Sequence, residues 1–136
     1  MLKIEHIGIA VRDLEKSNAL FSALLGCAPY KEEEVMAEQV KTSFFQTGES
    51  KVELLEATGE KSSIARFIDK RGEGIHHIAF EVEDIWLEMK RLEAAGFQLL
   101  NAEPKRGADN KLVCFIHPKS ANGVLVELCQ AIKPAI

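Results

Sequence analysis

Two stretches of the chain, 71 residues apart, closely resemble each other, and this repeat limits the possible folds more than any other feature. Residues 4–14 read IEHIGIAVRDL and residues 75–85 read IHHIAFEVEDI, with five of eleven positions identical. The tripeptide Val-Glu-Leu also recurs, at 52–54 and again at 126–128. A repeat of this length exceeds the roughly 20–50 residues of solenoid periods. The repeat therefore predicts two pseudo-symmetric modules within one α+β domain.

Each module has the pattern of one strand, one helix and three further strands. Asp13 and Asp84 follow the first strands and are predicted helix N-caps, and the helices are expected to end near Gly26 and Gly96. Alternating stretches then predict strands near 28–35, 40–47 and 51–57 in one module, and near 97–103, 111–117 and 124–130 in the other. The prediction is a single domain over 1–136, with βαβββ modules at about 4–57 and 75–131 and a connecting helix within 61–72.

Composition excludes several classes of protein. The 136-residue chain carries a net charge of −4, which argues against a phosphate-tracking nucleic-acid binder and a polybasic membrane-surface protein. No apolar run approaches the roughly 20 residues of a membrane span, and the start of the chain leads directly into a strand pattern, so no signal peptide is expected. Three cysteines without CxxC spacing favour a reducing, cytoplasmic setting.

Four polar residues occupy matching strand positions in the two modules. Because successive side chains of a strand alternate between faces, His6 and His77 lie opposite Ile7 and Ile78 on the first strands. Glu53 and Glu127 likewise lie opposite the apolar residues that flank them on the closing strands. If the four converge, they form an N2O2 site suited to an intermediate divalent ion such as Mn, Co, Ni or Zn. The alternative is four unrelated solvent-facing or hydrogen-bonded side chains.

Positive charge is concentrated in the second module. Lys105, Lys111 and Lys119 are candidate binding residues for an anionic substrate, and scattered surface lysines are the alternative. His76 adjoins His77 but belongs to the opposite, helix-covered face, so we expect a buried histidine there and not a metal ligand.

Three stretches carry a resemblance to a known family: IEHIGIAV at the start, SSIARFIDKRGEGIHHIAFEV at the module junction and NAEPKRGADNKLVCFIHPKSANGVLVEL toward the end. With them the chain resembles the glyoxalase and vicinal-oxygen-chelate superfamily, and within it the methylmalonyl-CoA epimerase family. The resemblance implies a curved mixed sheet around a metal cavity, with the metal ligands at His6, Glu53, His77 and Glu127. It also implies a homodimer, an acyl-CoA substrate and a divalent metal cofactor, cobalt among the candidates.

The implied reaction moves the proton on the 2-carbon of methylmalonyl-CoA from one face to the other. A divalent cation would stabilise the charge that develops on the thioester oxygen, and one base is needed on each face. Glu127 and Glu53 are the predicted bases. Some members of the family have an acidic residue on the third strand of the first module, where this chain has Thr42, with Glu38 just before that strand.

Other activities of the superfamily remain as alternatives. Lactoylglutathione lyase (glyoxalase I) has a Glu at the Glu53 position and uses related chemistry on a glutathione adduct. A ring-cleaving dioxygenase needs only two His and one carboxylate around Fe(II), so a fourth ligand argues against it. A non-enzymatic binding protein would be expected to line its cavity with aromatic side chains, and this chain has one Trp and one Tyr.

Overall fold

The order of helices and strands repeats once along the chain. A computed structural model describes residues 1–133. The elements of the first repeat are β1 (Lys3–Ala10), α1 (Leu14–Leu25), β2 (Lys31–Val35), β3 (Val40–Thr47) and β4 (Ser50–Ala57). After α2 (Ser63–Arg71) follow β5 (Gly74–Glu81), α3 (Ile85–Ala94), β6 (Lys105–Gly107), β7 (Lys111–Ile116) and β8 (Val126–Ala131). This order confirms the predicted α+β fold with two βαβββ modules.

The contacts divide the chain into two compact units. The first unit comprises residues 6–76, and the second comprises residues 1–5 together with the chain from residue 77. In the first unit β4 pairs with β1 in parallel and with β3 antiparallel, and β2 pairs antiparallel with β3. In the second unit β8 pairs with β5 in parallel and with β7 antiparallel, and β6 pairs antiparallel with β7. The two units therefore share one mixed topology.

Apolar side chains of the strands pack beneath the helices in each unit. In the first unit Leu54 of β4 packs with Leu14 and Phe45, and the next residue, Leu55, packs on the other face with Ile64 of α2. The second unit has a core of seven buried residues: Val82, Ile85, Met89, Leu92, Cys114, Ile116 and Leu128. Burying such side chains stabilises a fold by about 1.5–3 kcal/mol each, so these clusters hold each helix on its strands.

The helices begin where the sequence predicts. The side chains of Asp13 and Asp84 accept hydrogen bonds from the backbone N–H groups of Lys16 and Leu87, at 3.1 and 3.2 Å. Gly26 ends α1 with a φ of 73°, a left-handed conformation that costs glycine little. No helix within residues 1–133 is long and apolar enough to cross a membrane.

The predicted strand near 97–103 is wrong. In this segment only Leu99 forms an isolated bridge with β7, and β6 begins later. The side chain of Asn101 accepts the hydrogen bond of the Phe115 N–H at 2.8 Å, a position that a strand would fill with a backbone carbonyl. Pro104, which follows, has no N–H to donate to a ladder. Side-chain bonding and a proline therefore replace the regular pairing.

Candidate metal centre

In the first unit the candidate ligands are a histidine and a glutamate on adjacent parallel strands. His6 of β1 and Glu53 of β4 have only 6% and 7% of their side chains exposed, and His6 Nδ1 lies 3.1 Å from Glu53 Oε2. Gly8 is the register partner of Glu53. Because Gly8 has no Cβ, the strand leaves space beside the carboxylate.

The second unit repeats this arrangement on β5 and β8. The side chains of His77 and Glu127 are 6% and 8% exposed, and His77 Nε2 lies 3.3 Å from Glu127 Oε1. The register partner of Glu127 is Ala79, another small residue, two positions after the histidine as Gly8 is after His6. Each unit thus holds one buried imidazole next to one buried carboxylate.

A phenylalanine lies directly across the strand from each glutamate. Phe44 of β3 is the register partner of Glu53, and Phe115 of β7 is the register partner of Glu127. The Phe115 ring meets the His77 ring edge-on, with 6.0 Å between centroids. Sequence analysis missed both, although Phe44 and Phe115 are separated by the same 71 residues as the two histidines. They place an apolar wall beside each carboxylate.

The residues present fit a divalent metal ion. An ionised carboxylate in an apolar interior is costly unless a cation or hydrogen-bond donors compensate it, and both glutamates have strongly buried side chains. Imidazole nitrogens and carboxylate oxygens are the donors preferred by Mn, Co, Ni and Zn. Each unit supplies buried donors of both kinds: His6 and Glu53 in the first unit, and His77 and Glu127 in the second.

The predicted substrate-binding lysines have different surroundings. Lys105 lies exposed on β6, and Lys119 lies exposed in the short turn Pro118–Ala121 after β7. Lys111 begins β7, with its ammonium 3.9 Å from Glu5 Oε2. Lys111 and Lys119 therefore lie toward opposite ends of β7. Only Lys111 has a largely buried side chain, 13% exposed.

The position where the family resemblance predicts an acid on β3 is polar but not acidic here. Thr42 of β3 is 2% exposed and lies two residues from Phe44, on the same strand face. Glu38 is exposed, in the short turn Met36–Glu38 before β3. The first unit therefore buries a hydroxyl where a second acid would be expected.

The residues immediately before the two histidines, Glu5 and His76, are also shielded from solvent. The His76 ring packs edge-on against Phe67 of α2, with 5.0 Å between centroids, and burial lowers the pKa of His76 to about 4. Its counterpart Glu5 is 3% exposed, and sequence analysis missed it as a buried carboxylate. The signal was available, because both repeats have a polar residue immediately before the histidine.

Comparison with known protein families identifies the superfamily to which this chain belongs. Residues 5–115 match the model of the glyoxalase/bleomycin resistance protein/dioxygenase superfamily. The chain belongs to this superfamily, as its paired modules and His–Glu pairs indicate.

Several of the individual relatives are named methylmalonyl-CoA epimerases. The ethylmalonyl-CoA/methylmalonyl-CoA epimerase of Cereibacter sphaeroides is 43% identical to this chain over 94% of this chain and 97% of its own length. The Bacillus subtilis protein YqjC, described as uncharacterized, is 38% identical over 96% of this chain and 93% of its own. A variant of the Streptomyces coelicolor methylmalonyl-CoA epimerase, solved in complex with 2-nitronate-propionyl-CoA, is 32% identical and superposes with a TM-score of 0.91, covering 98% of this chain and 99% of that one.

Proposed function

We propose that this chain is a metal-dependent methylmalonyl-CoA epimerase. The observation that carries the proposal is the duplicated, buried His–Glu pair: His6 with Glu53 at 3.1 Å and His77 with Glu127 at 3.3 Å. A relative that is 43% identical is named an ethylmalonyl-CoA/methylmalonyl-CoA epimerase, which supports epimerisation over other reactions of the superfamily. The reaction inverts the 2-carbon of the acyl group by removing a proton from one face and returning one to the other.

The four residues of the two pairs would together hold one divalent cation. His6 and His77 would supply imidazole nitrogens, and Glu53 and Glu127 would supply carboxylate oxygens. When bound, such an ion acts as a Lewis acid toward negative charge on a thioester oxygen. The chain itself contributes the buried, water-poor surroundings that strengthen electrostatic interactions.

Glu53 and Glu127 are also the proposed proton-transfer groups. Each carboxylate lies on a closing strand at an equivalent position of its unit, and in this proposal the two would serve opposite faces of a planar reacting carbon. One carboxylate accepts the proton from the 2-carbon and the other, in protonated form, donates a proton to the opposite face. Phe44 and Phe115, opposite the glutamates in register, would limit the access of water to the carboxylates.

The wider assignments follow from the same proposal. The substrate is an acyl-CoA, as for the Streptomyces coelicolor relative bound to a propionyl-CoA analogue. We also propose a homodimer and a cytoplasmic location, the latter because Cys27, Cys114 and Cys129 form no disulfide bonds. The single-domain organisation over 1–136 also stays a prediction.

An exchange experiment tests the function. Metal-loaded protein is incubated in D2O with one epimer of methylmalonyl-CoA, and deuterium at the 2-carbon and the opposite epimer are measured together. We expect both to appear, to depend on metal and to be lost in Glu127→Gln, while the exposed control Glu83→Gln retains activity. Bound metal without exchange would contradict the epimerase, and the hemithioacetal of methylglyoxal and glutathione would then test for a lactoylglutathione lyase.

A further inference from the structure

The second unit contains a buried ion pair that the proposed proton transfer does not use. The side chain of Glu5 is 4% exposed and that of Lys111 is 13% exposed, with 3.9 Å between Glu5 Oε2 and Lys111 Nζ. Removing a lysine and a glutamate from water is costly, and such a pair is seldom a net source of stability. Its presence inside a small unit therefore points to a role other than stabilising the fold.

Strand alternation places Lys111 on the same face as the candidate ligands of its unit. Leu112, Cys114 and Ile116 of β7 pack with the core beneath α3. Val113 and Phe115 lie on the other face, and Phe115 is the register partner of Glu127. Lys111 alternates in step with Val113 and Phe115 and so lies on the same strand face as they do. It precedes Phe115 by four residues, or roughly 13 Å along the strand.

The ammonium retains capacity to bind an anion. A lysine has three N–H donors, and the 3.9 Å separation from Glu5 is longer than a direct hydrogen bond of about 2.7–3.2 Å. A carboxylate oxygen of Glu5 also lies within 4.8 Å of Cys129 Sγ, next to the apolar cluster of Ala79, Val113 and Cys129. In such apolar surroundings the attraction between the two charges is little screened, so Glu5 restrains the ammonium without occupying all its donors.

The hairpin between β6 and β7 also holds the lysine backbone in place. Asp109 and Asn110 adopt positive φ values of 59° and 54°, which form a tight turn immediately before Lys111. Asn110 Nδ2 donates a hydrogen bond to the Ile132 carbonyl at 3.4 Å. The start of β7 is thus connected to the segment that follows β8.

We propose that Lys111 binds an anionic group of the acyl-CoA substrate, and that Glu5 is a positioning residue that holds the Lys111 ammonium on this face. The identity of the ligand rests on the proposed function. An acyl-CoA offers two sources of anionic oxygen, the acyl carboxylate and the phosphates of coenzyme A, and the experiment distinguishes them.

Binding is measured by calorimetry on metal-loaded protein with two probes. Propionyl-CoA carries the phosphates without the acyl carboxylate, and methylmalonyl-pantetheine carries the carboxylate without the phosphates. We expect Lys111→Met to raise Kd for one of the probes by about tenfold to a hundredfold, the loss of one charged hydrogen bond. Lys111→Arg should restore most of the affinity, and the exposed control Lys90→Met should match the wild type. Unchanged Kd for both probes in Lys111→Met would overturn the proposal.

The role of Glu5 is tested with the isosteric variant Glu5→Gln. As a positioning residue, Glu5 should affect Kd for the same probe as Lys111 does, and raise KM for methylmalonyl-CoA with little change in kcat. If Glu5 has only a structural role, Glu5→Gln would lower the melting temperature and leave the Kd of the folded protein unchanged, and this result would refute positioning.

The two proposals can fail separately. Failure of the wild type to exchange deuterium while it still binds propionyl-CoA would refute the epimerase alone, and failure to bind either probe would refute the Lys111 assignment.

Discussion

Glu5 and His76 occupy the same position in the two repeats, immediately before a candidate ligand histidine, yet their surroundings differ. Glu5 faces the Lys111 ammonium at 3.9 Å in the second unit. His76 packs against Phe67 in the first unit, and burial lowers its pKa to about 4. One position therefore holds a paired charge and the other a neutral ring. The difference indicates that the repeat preserves the histidines and their strand faces, while adjacent residues adapt to the element packed against them.

The N-termini of α1 and α3 likewise share a backbone conformation but differ in the side chain that accepts a hydrogen bond there. The backbone of the N-caps is nearly identical, with φ −136° and ψ 103° at Asp13, and φ −134° and ψ 102° at Asp84. The next N–H, of Leu14, donates to Glu56 Oε2 at 2.7 Å, whereas that of Ile85 donates to Gln130 Oε1 at 2.8 Å. Both acceptors lie three residues after a candidate ligand glutamate. The geometry is conserved between units, and the charge is not.

The largest expected effect comes from neutralising the two glutamates separately. Glu53→Gln and Glu127→Gln should each reduce kcat by about 10²–10⁴, because each removes a proton-transfer group. Metal content and thermal stability are measured alongside steady-state kinetics, with Glu83→Gln as an exposed control. If only Glu127→Gln loses activity, the two units are equivalent in metal binding but not in proton transfer. Full activity in both variants would show that the site lies elsewhere.

Replacing the histidines tests whether both units contribute to metal binding. His6→Asn and His77→Asn should each weaken the binding of Co(II) by more than about a hundredfold, since loss even of an outer-shell partner costs 10–100-fold. Binding is followed by titration of metal-free protein. His117→Asn is a matched control, because His117 caps the turn before β8 and asparagine can also cap. Wild-type affinity in either ligand variant would assign the metal to the other unit alone.

Acid should destabilise the protein partly through His76. Its pKa is about 4 in the folded state, below the ordinary 6.5, so between these values the unfolded chain binds more protons than the folded one. The contribution of His76 to stability is present above pH 6.5 and is lost as pH falls toward 4, by about 3 kcal/mol. Urea unfolding of the wild type and His76→Phe at several pH values measures the difference. Parallel pH profiles for the two proteins would refute this assignment.

The smallest expected effects concern the helix N-termini. Glu56→Ala should lower the free energy of unfolding by about 1.5–3 kcal/mol, and Gln130→Ala by about 0.5–1.5 kcal/mol, because a charged acceptor forms the stronger hydrogen bond. Thermal and urea denaturation measure both losses. Glu56→Gln converts the first unit to the chemistry of the second and should recover about a third to a half of the stability lost in Glu56→Ala. Equal losses in the two alanine variants would mean that charge contributes little at α1.

Sequence patterns predicted the helix N-caps and the end of α1 correctly because their signals are local. Asp13 and Asp84 lie directly before an apolar helical stripe, and Gly26 lies directly after one, so both N-caps and the end of α1 are predicted without knowledge of the rest of the chain. The error near 97–103 has the opposite origin. Asn101 is bonded to Phe115, fourteen residues away, and a window over the segment itself contains no sign of that contact.

The sequence alone determined the duplicated βαβββ order and the faces of the strands, and it predicted the four residues proposed as metal ligands, because periodicity and internal repetition can be read from the sequence itself. Only the tertiary structure decided that Phe44 and Phe115 oppose the glutamates, and that Glu5 and Lys111 form a buried pair. The physical reason is register: which residues meet across strands depends on how distant segments of the chain pair in the sheet. Burial of a lysine depends in turn on everything packed around it.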